Sequence, residues 1–377
     1  MPHDQTARDA GMNRPLRILH LTAGSDAGGL SRYIFDLCDE MTKLGHEVYV
    51  AGEYGAWRWL FERARWPWIE APLKGGFGSL MIATATLRNF LNQHPVDILH
   101  THYRRPTIVA RRLQKSHHLP ILYTLHLSHL SLSWPNNWLS DFGDRTHVAS
   151  AEARDWIINA AHVSADRVSL IPHGVMLEKF PQVDEVSRAK ARLALGVPQD
   201  ARVAAYVGRL DDPKNEGWLI DLAVAARARL PKLVVLLAGE GPHEALLKRR
   251  IIAEGLHDQV KMLGHREPLS VYHAADALLL PSAREGFSLV TAEAMCAGIP
   301  VIRTRTSGTA GLIIENETGR STDIAKAEFM ETALQTLDDA AALQRMGARS
   351  AAHVRAHFDF ETQLASTMAL YREMIKP

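Results

Sequence analysis

The feature that most narrows what this chain can fold into is an alternation. Short runs of β-branched and aliphatic residues recur along it, separated by longer segments of helical period. That rhythm builds βα units, and βα units build a parallel sheet. Strands are predicted near residues 16–21, 47–51, 97–101, 121–125, 147–150 and 168–171, with helices such as 30–44, 80–92 and 107–116 in the gaps. The rhythm lapses around 172–181, passes through a polar helical segment near 186–195, and resumes with strands at 202–207, 233–237, 260–263, 277–280 and 301–303. The expectation is an α/β protein with two doubly wound, Rossmann-like domains, 16–180 and 181–357. A mobile leader over 1–15 precedes them, and a last amphipathic helix within 358–377 has no successor to pair with.

Composition removes whole classes of function. The 377 residues hold 43 basic and 42 acidic side chains, a formal net charge of +1, with 46% hydrophobic and 23% charged residues. This is a globular mix rather than a disordered one, and it lacks the basic excess that nucleic-acid binding requires, so no nucleic-acid partner is expected. Cys38 and Cys296, far apart, make neither a disulfide framework nor a metal motif and point to a reducing, cytoplasmic setting. Asp4, Arg8, Asp9 and Arg14 interrupt the start of the chain, which lacks the apolar stretch of an export signal, and runs such as 233–238 are too short to cross a bilayer. The protein is expected to be soluble, with contact at a membrane surface left open.

In open parallel sheets ligands sit at the carboxyl ends of the strands, where helix N-termini present free N–H groups. The sharpest local signal lies at such an end, in Arg284-Glu285-Gly286-Phe287-Ser288-Leu289 and on to Glu293, Gly298 and Pro300. It follows the strand 277–280, offers Ser288 as an N-cap and stops at Gly298, which predicts a helix over 289–297. Were residues 285 to 293 all helical, the two glutamates would stand about 12 Å apart and be rotated by about 80°. A retaining glycosidase pair needs only about 5 Å. These carboxylates are better placed to hold two parts of one long ligand, with an anionic group between them at the helix N-terminus. Taken alone, Glu293 reads equally well as a solvated helix residue.

Glu285 and Glu293 with seven residues between them resemble the E-x7-E signature of retaining GT-B glycosyltransferases, specifically glycosyltransferase family 4. Ala27-Gly28-Gly29-Leu30, the segment Ile171-Pro172-His173-Gly174-Val175, Val207-Gly208-Arg209-Leu210 with Lys214, Gly239-Glu240-Gly241-Pro242 and Leu263-Gly264-His265 follow in the family's order, so the resemblance covers about 16–375. It implies a GT-B fold whose domains face a central cleft, and a last helix that crosses back onto the first domain. Arg209 and Lys214 would then meet the leaving diphosphate, Glu293 the ribose and Glu285 the transferred sugar. The backbone of Gly286, Phe287, Ser288 and Leu289 would support sugar and phosphate. Gly28 and Gly29 would let the first domain approach the diphosphate, while Gly264 and His265 would frame the base. His126 stands where the family has its active-site histidine. The implied reaction moves a sugar from a UDP-, GDP- or ADP-sugar to a saccharide or lipid-linked hydroxyl, with no cofactor and no metal. Two positions depart from the pattern. Thr306-Ser307-Gly308-Thr309-Ala310-Gly311-Leu312 has no acid until Glu315, and Asn215 replaces a glycine common after the lysine.

Other readings keep a place. Gly24, Gly28 and Gly29 do not spell G-x-G-x-x-G, and a tight turn would account for them. Glu53 ends the second strand where a dehydrogenase reads a ribose, which leaves a nucleotide-sugar epimerase or nicotinamide-dependent oxidoreductase as one alternative and a non-catalytic nucleotide-binding scaffold as another. His126 alone at a strand end would be an ordinary hydrogen-bonded residue. His100-Thr101-His102 shares one strand face but lacks a carboxylate or cysteine to complete a metal site. The segment 57–68 holds Trp57, Trp59, Trp66 and Trp68 with Arg58, Arg63 and Arg65. It suits an acceptor sugar or a membrane interface, and equally an amphipathic helix docked on the sheet edge.

Overall fold

The computed structural model describes residues 14–26, 28–132 and 140–376; the leader expected over 1–15 falls, up to residue 13, outside the described residues. The chain forms two compact units, Met1–Pro172 with Gln363–Pro377, and His173–Thr362. The division falls after Pro172 and after Thr362, not at 180 and 357 as read from the sequence. Residues 173–180 belong with the second unit because Val175 N–H donates to Phe358 O (2.8 Å) and Phe360 N–H donates to Val175 O (3.1 Å).

The first unit is a seven-stranded sheet. Its strands are β1 (Arg17–Gly24), β2 (Glu47–Glu53), β3 (Trp68–Glu70), β4 (Ile98–Thr101), β5 (Ile121–Leu125), β6 (Arg145–Val148) and β7 (Val168–Leu170). They run in the order β3-β2-β1-β4-β5-β6-β7, every pairing parallel. The chain reverses direction across the sheet between β1 and β4, where a doubly wound fold opens its binding crevice. Leu19, Leu21, Leu99 and Ile121 are fully buried against Leu80, Ala83, Leu87, Val109 and Leu113 of the helices Phe77–Gln93 and Arg104–His117. The helix Phe360–Ile375 returns its later residues to this unit, where Glu373 pairs with Arg145 at 3.0 Å.

The second unit repeats the plan with β8 (Arg202–Val207), β9 (Leu233–Ala238), β10 (Val260–Gly264), β11 (Ala277–Leu280), β12 (Val301–Thr304) and β13 (Gly319–Thr322). The order is β10-β9-β8-β11-β12-β13, again all parallel, and the reversal falls between β8 and β11. Its core is a single cluster in which β8, β9 and β11 are buried on both faces, the mark of a parallel sheet covered by helices on either side. Both cysteines are free and buried. No helix among the described residues is long and apolar enough to cross a membrane.

The tryptophan-rich segment is not an amphipathic helix along its length. Its helical part is the single turn Arg58–Phe61; Trp66 is buried, and Trp68 opens the edge strand β3. Phe35, Phe61, Trp66 and Trp68 pack ring against ring with centroids 5.1 to 5.8 Å apart. Trp59 is exposed.

Candidate active site

In the second unit the loops leaving the carboxyl ends of the strands are laced into one rim. Gly208 N–H donates to Ala238 O (3.0 Å), Gly239 N–H to Gly264 O (2.8 Å) and Leu210 N–H to Glu240 O (3.0 Å), which ties the loops after β8, β9 and β10 side by side. Such close approach needs Gly239, because a Cβ there would stand 1.8 Å from Gly208 O and the residue has φ 147°. Ala283 N–H reaches Pro213 O (2.7 Å) and Asn215 Nδ2 reaches Pro281 O (2.9 Å), joining the β8 loop to the β11 loop. Asn215 sits at φ 54°, a left-handed conformation that asparagine adopts more readily than most residues, which explains how it can replace a glycine.

This lacing brings Lys214 and Glu285 together although 71 positions separate them. Lys214 Nζ and Glu285 Oε1 are 2.6 Å apart and both side chains are mostly buried. Arg209 lies at the same strand end with its guanidinium half exposed, 2.6 Å from Asp211, and Tyr206 O–H donates to Arg209 O at 2.6 Å. Glu293 is held apart from Glu285. It sits inside the helix Leu289–Cys296 and accepts from the buried Tyr272 O–H at 2.9 Å, where burial first and the Glu293 charge second push the phenol well above its usual range. The two glutamates thus have different partners.

One expectation needs correction. Ser288 occupies the N-cap position but makes no capping bond, and its buried hydroxyl has no partner among the described residues. The Phe287 ring is spent on packing, 5.5 Å from the rings of His173 and Phe358, so only its backbone remains for a ligand. Gly286 stays in the turn ahead of Leu289, which begins the helix. Gly264 ends β10 at φ 63°, and His265 beyond it is exposed. Glu315, the first acid after β12, accepts from Ser321 N–H and Oγ at 3.0 Å and so stiffens the approach to β13.

In the first unit Gly28, at φ 144°, caps the helix that opens at Gly29, a backbone conformation that L side chains rarely adopt. Glu53 is already engaged, its carboxylate accepting from Lys74 N–H at 2.6 Å. His126 is not a lone histidine. Its Nε2 lies 3.1 Å from His102 Nδ1, and His102 Nε2 lies 3.0 Å from His20 Nδ1. Burial holds His20 and His126 down to about 3, and both rings are neutral at physiological pH. The sequence reading missed His20, whose only signal was its pairing opposite His100 once β1 lies beside β4. With it, His20, His100 and His102 bring three ligand atoms within 4.8 Å of one another. Every ring nitrogen of the three except His20 Nε2 is already hydrogen bonded to a protein neighbour.

Two parallel-sheet, Rossmann-like α/β units define the GT-B class of glycosyltransferase folds, matching solved members of it. Residues 27–179 match the family described as Glycosyltransferase Family 4 and residues 187–353 the one described as Glycosyl transferases group 1; the chain belongs to glycosyltransferase family 4 and is a glycosyltransferase. It is 28% identical over 388 residues to a D-inositol 3-phosphate glycosyltransferase of Corynebacterium glutamicum, with 93% of each chain covered. The structure of Anabaena Alr3699/HepE in complex with UDP superposes with a TM-score of 0.82 at 20% identity, covering 95% of this chain and 100% of that one. WaaG, a glycosyltransferase involved in lipopolysaccharide biosynthesis, superposes at 0.76 and 16% identity over 94% and 99%. Membership sets aside the oxidoreductase alternative, in keeping with the engaged Glu53.

Proposed function

We propose that this enzyme transfers a sugar from a nucleoside-diphosphate sugar to a hydroxyl of a saccharide or lipid-linked acceptor in glycan biosynthesis, with retention and without a metal. The observation that carries the reading is the Lys214–Glu285 pair on the rim of the second unit, 2.6 Å apart, with Arg209 at the same strand end. A cation beside a carboxylate suits a diphosphate joined to a sugar. Lys214 and Arg209 meet the charge that grows on the leaving diphosphate, helped by the N–H groups of Gly286, Phe287, Ser288 and Leu289, while Glu285 takes the sugar hydroxyls and Glu293 the ribose. These groups supply the positive charge that a divalent cation would otherwise bring, which supports metal independence. The acceptor hydroxyl attacks from the face the diphosphate leaves, and a departing phosphate oxygen takes its proton. No protein nucleophile is assigned.

In the first unit Gly28 and Gly29 serve the diphosphate and His126 the sugar. Crystal structures of HepE with UDP, with UDP-glucose, and with UDP and glucose favour a uridine nucleotide and a saccharide acceptor. Of the segment 57–68, the exposed Trp59, with Arg63 5.5 Å from its ring, is offered to an acceptor or the inner face of a membrane, in keeping with a cytoplasmic enzyme. We expect Glu285→Ala and Lys214→Ala each to lower turnover of the UDP-, GDP- or ADP-sugar that is accepted by about 10²- to 10³-fold. Thermal melts should show both variants folded. Near wild-type turnover in either folded variant overturns the assignment.

A further inference from the structure

Both cations assigned to the diphosphate sit on one short stretch of chain in the second unit. Arg209 opens it, and Lys214 lies within the span 210–216 that joins β8 to the helix Gly217–Ala226. One residue grips that span at both ends. His243, just ahead of the helix Glu244–Ala253, donates its backbone N–H to Leu210 O (3.0 Å), and its ring Nδ1 lies 2.5 Å from Glu216 Oε1. Lys214 stands between these two anchor points, its own N–H turned back on Asp211 O (2.8 Å).

The ring-to-carboxylate contact is no ordinary surface pair. Glu216 is only 1% exposed and its Oε2 has no partner among the described residues, so the carboxylate depends on His243. An ionised carboxylate only accepts, so His243 Nδ1 carries a proton. A buried charge needs an opposite charge beside it, and an imidazolium supplies one. The bond to Glu216 first, opposed by burial and then aided by the charges of Glu216, Asp212 and Asp211, holds the ring above its ordinary value. The other charged groups on these loops and helices have partners or face solvent. Arg209 pairs with Asp211, Lys214 with Glu285, Lys248 with Glu244 and Arg250 with Asp221, while Asp212 and Glu240 are exposed. From β8 the buried Tyr206 phenol, within the field of Glu216, donates to Arg209 O (2.6 Å).

We propose that His243 and Glu216 are positioning residues for the donor: their bond closes the span 210–216 and sets Lys214, with Arg209 at its start, where the diphosphate is met. This rests on the reading that Lys214 and Arg209 meet the diphosphate. The hold is pH-dependent. It is complete below the ordinary histidine range and weakens as pH rises through the raised value, because Glu216 then loses its counter-charge and keeps only a neutral hydrogen bond.

The test is calorimetric titration of the whole enzyme with UDP, GDP and ADP as probes. The tightest binder is followed from about pH 7 to about pH 9, above the phosphate pKa of about 6. The wild-type Kd should rise about two- to fivefold over that interval. His243→Asn, whose amide donates without a charge as a neutral imidazole does, should bind at every pH as the wild type does at the alkaline end. No slope in the wild type, or a slope that persists in His243→Asn, overturns the proposal. His243→Leu should raise Kd about three- to tenfold at neutral pH, and much less when Lys214→Ala is already present. An equal effect in both backgrounds overturns the route through Lys214. If His243→Leu does not fold, the wild-type and His243→Asn series decide alone. A weakened Lys214→Ala beside an unaffected His243→Leu overturns the positioning role and leaves the underlying reading standing. Wild-type affinity in Lys214→Ala, or no affinity for any of the three probes, overturns that reading and the proposal with it.

Discussion

Gly239 shows how one residue without a side chain can hold a site together. Its N–H reaches Gly264 O while Gly208 O fills the space a Cβ would take, so it spaces the loops from β8 and β10. Gly239→Ala is expected to cost about 2–4 kcal/mol, because a Cβ adds both a clash and an unfavourable φ, and a urea melt would measure the loss. The motif Gly239-Glu240-Gly241-Pro242 was visible in the sequence, but the reason for its glycines was not. They answer to the backbone of residues 208–210, some thirty positions earlier. Asn215 teaches the converse: its departure from the glycine pattern is absorbed by an αL backbone and a bond to Pro281 O, neither of which has a sequence signature.

At the scale of elements, Asp276 ties together the start of β11, the start of β8 and the helix Glu185–Ala194. Its carboxylate meets Arg188 (2.7 Å), Arg192 (3.1 Å) and Arg202 (3.6 Å) and accepts from Val203 N–H (2.7 Å). Arg192 is itself buried and spends its other donors on the carbonyls of Ala274, Gln199 and Ala201. Asp276→Ala leaves a buried guanidinium without its counter-charge and should cost about 3 kcal/mol, whereas Arg202→Ala, removing the most distant partner, should cost under about 1 kcal/mol. Chemical denaturation of the two variants would show the contrast. The strands that periodicity found were those with apolar runs. It passed over β3, three residues long behind Pro67, and β13, whose Gly-Arg-Ser-Thr carries no apolar signal and is a strand because β12 offers it an edge. The N-cap expected at Ser288 failed in its hydrogen bond although the helix starts where expected.

Over the whole molecule, the histidines confer a pH dependence on the first unit. Burial first lowers His20 and His126 to about 3 and His147 to about 4, so these rings are neutral in the fold and take up protons more readily when it opens. Stability is then fully present above the ordinary histidine range and is lost as pH falls toward those depressed values, since the unfolded state binds more protons. Hydrogen-exchange protection factors across β4, β5 and β6, referred to the intrinsic exchange rate at each pH, should fall on going from neutral pH to about pH 5, and His147→Gln should flatten that dependence. An unchanged slope would show that other groups set it.

The sequence by itself determined that there are two parallel-sheet units and where most strands lie, because burial on both faces leaves apolar runs that any order of strands would show. It also carried the family's motifs in order, since those are contiguous stretches at strand ends. Only the tertiary structure decided which motifs meet. Lys214 finds Glu285 because β8 lies beside β11, and His20 joins His102 and His126 because β1 lies beside β4 and β4 beside β5. Strand order is set by the packing of whole helices on whole sheets, a property of the assembled unit that no local run of residues encodes.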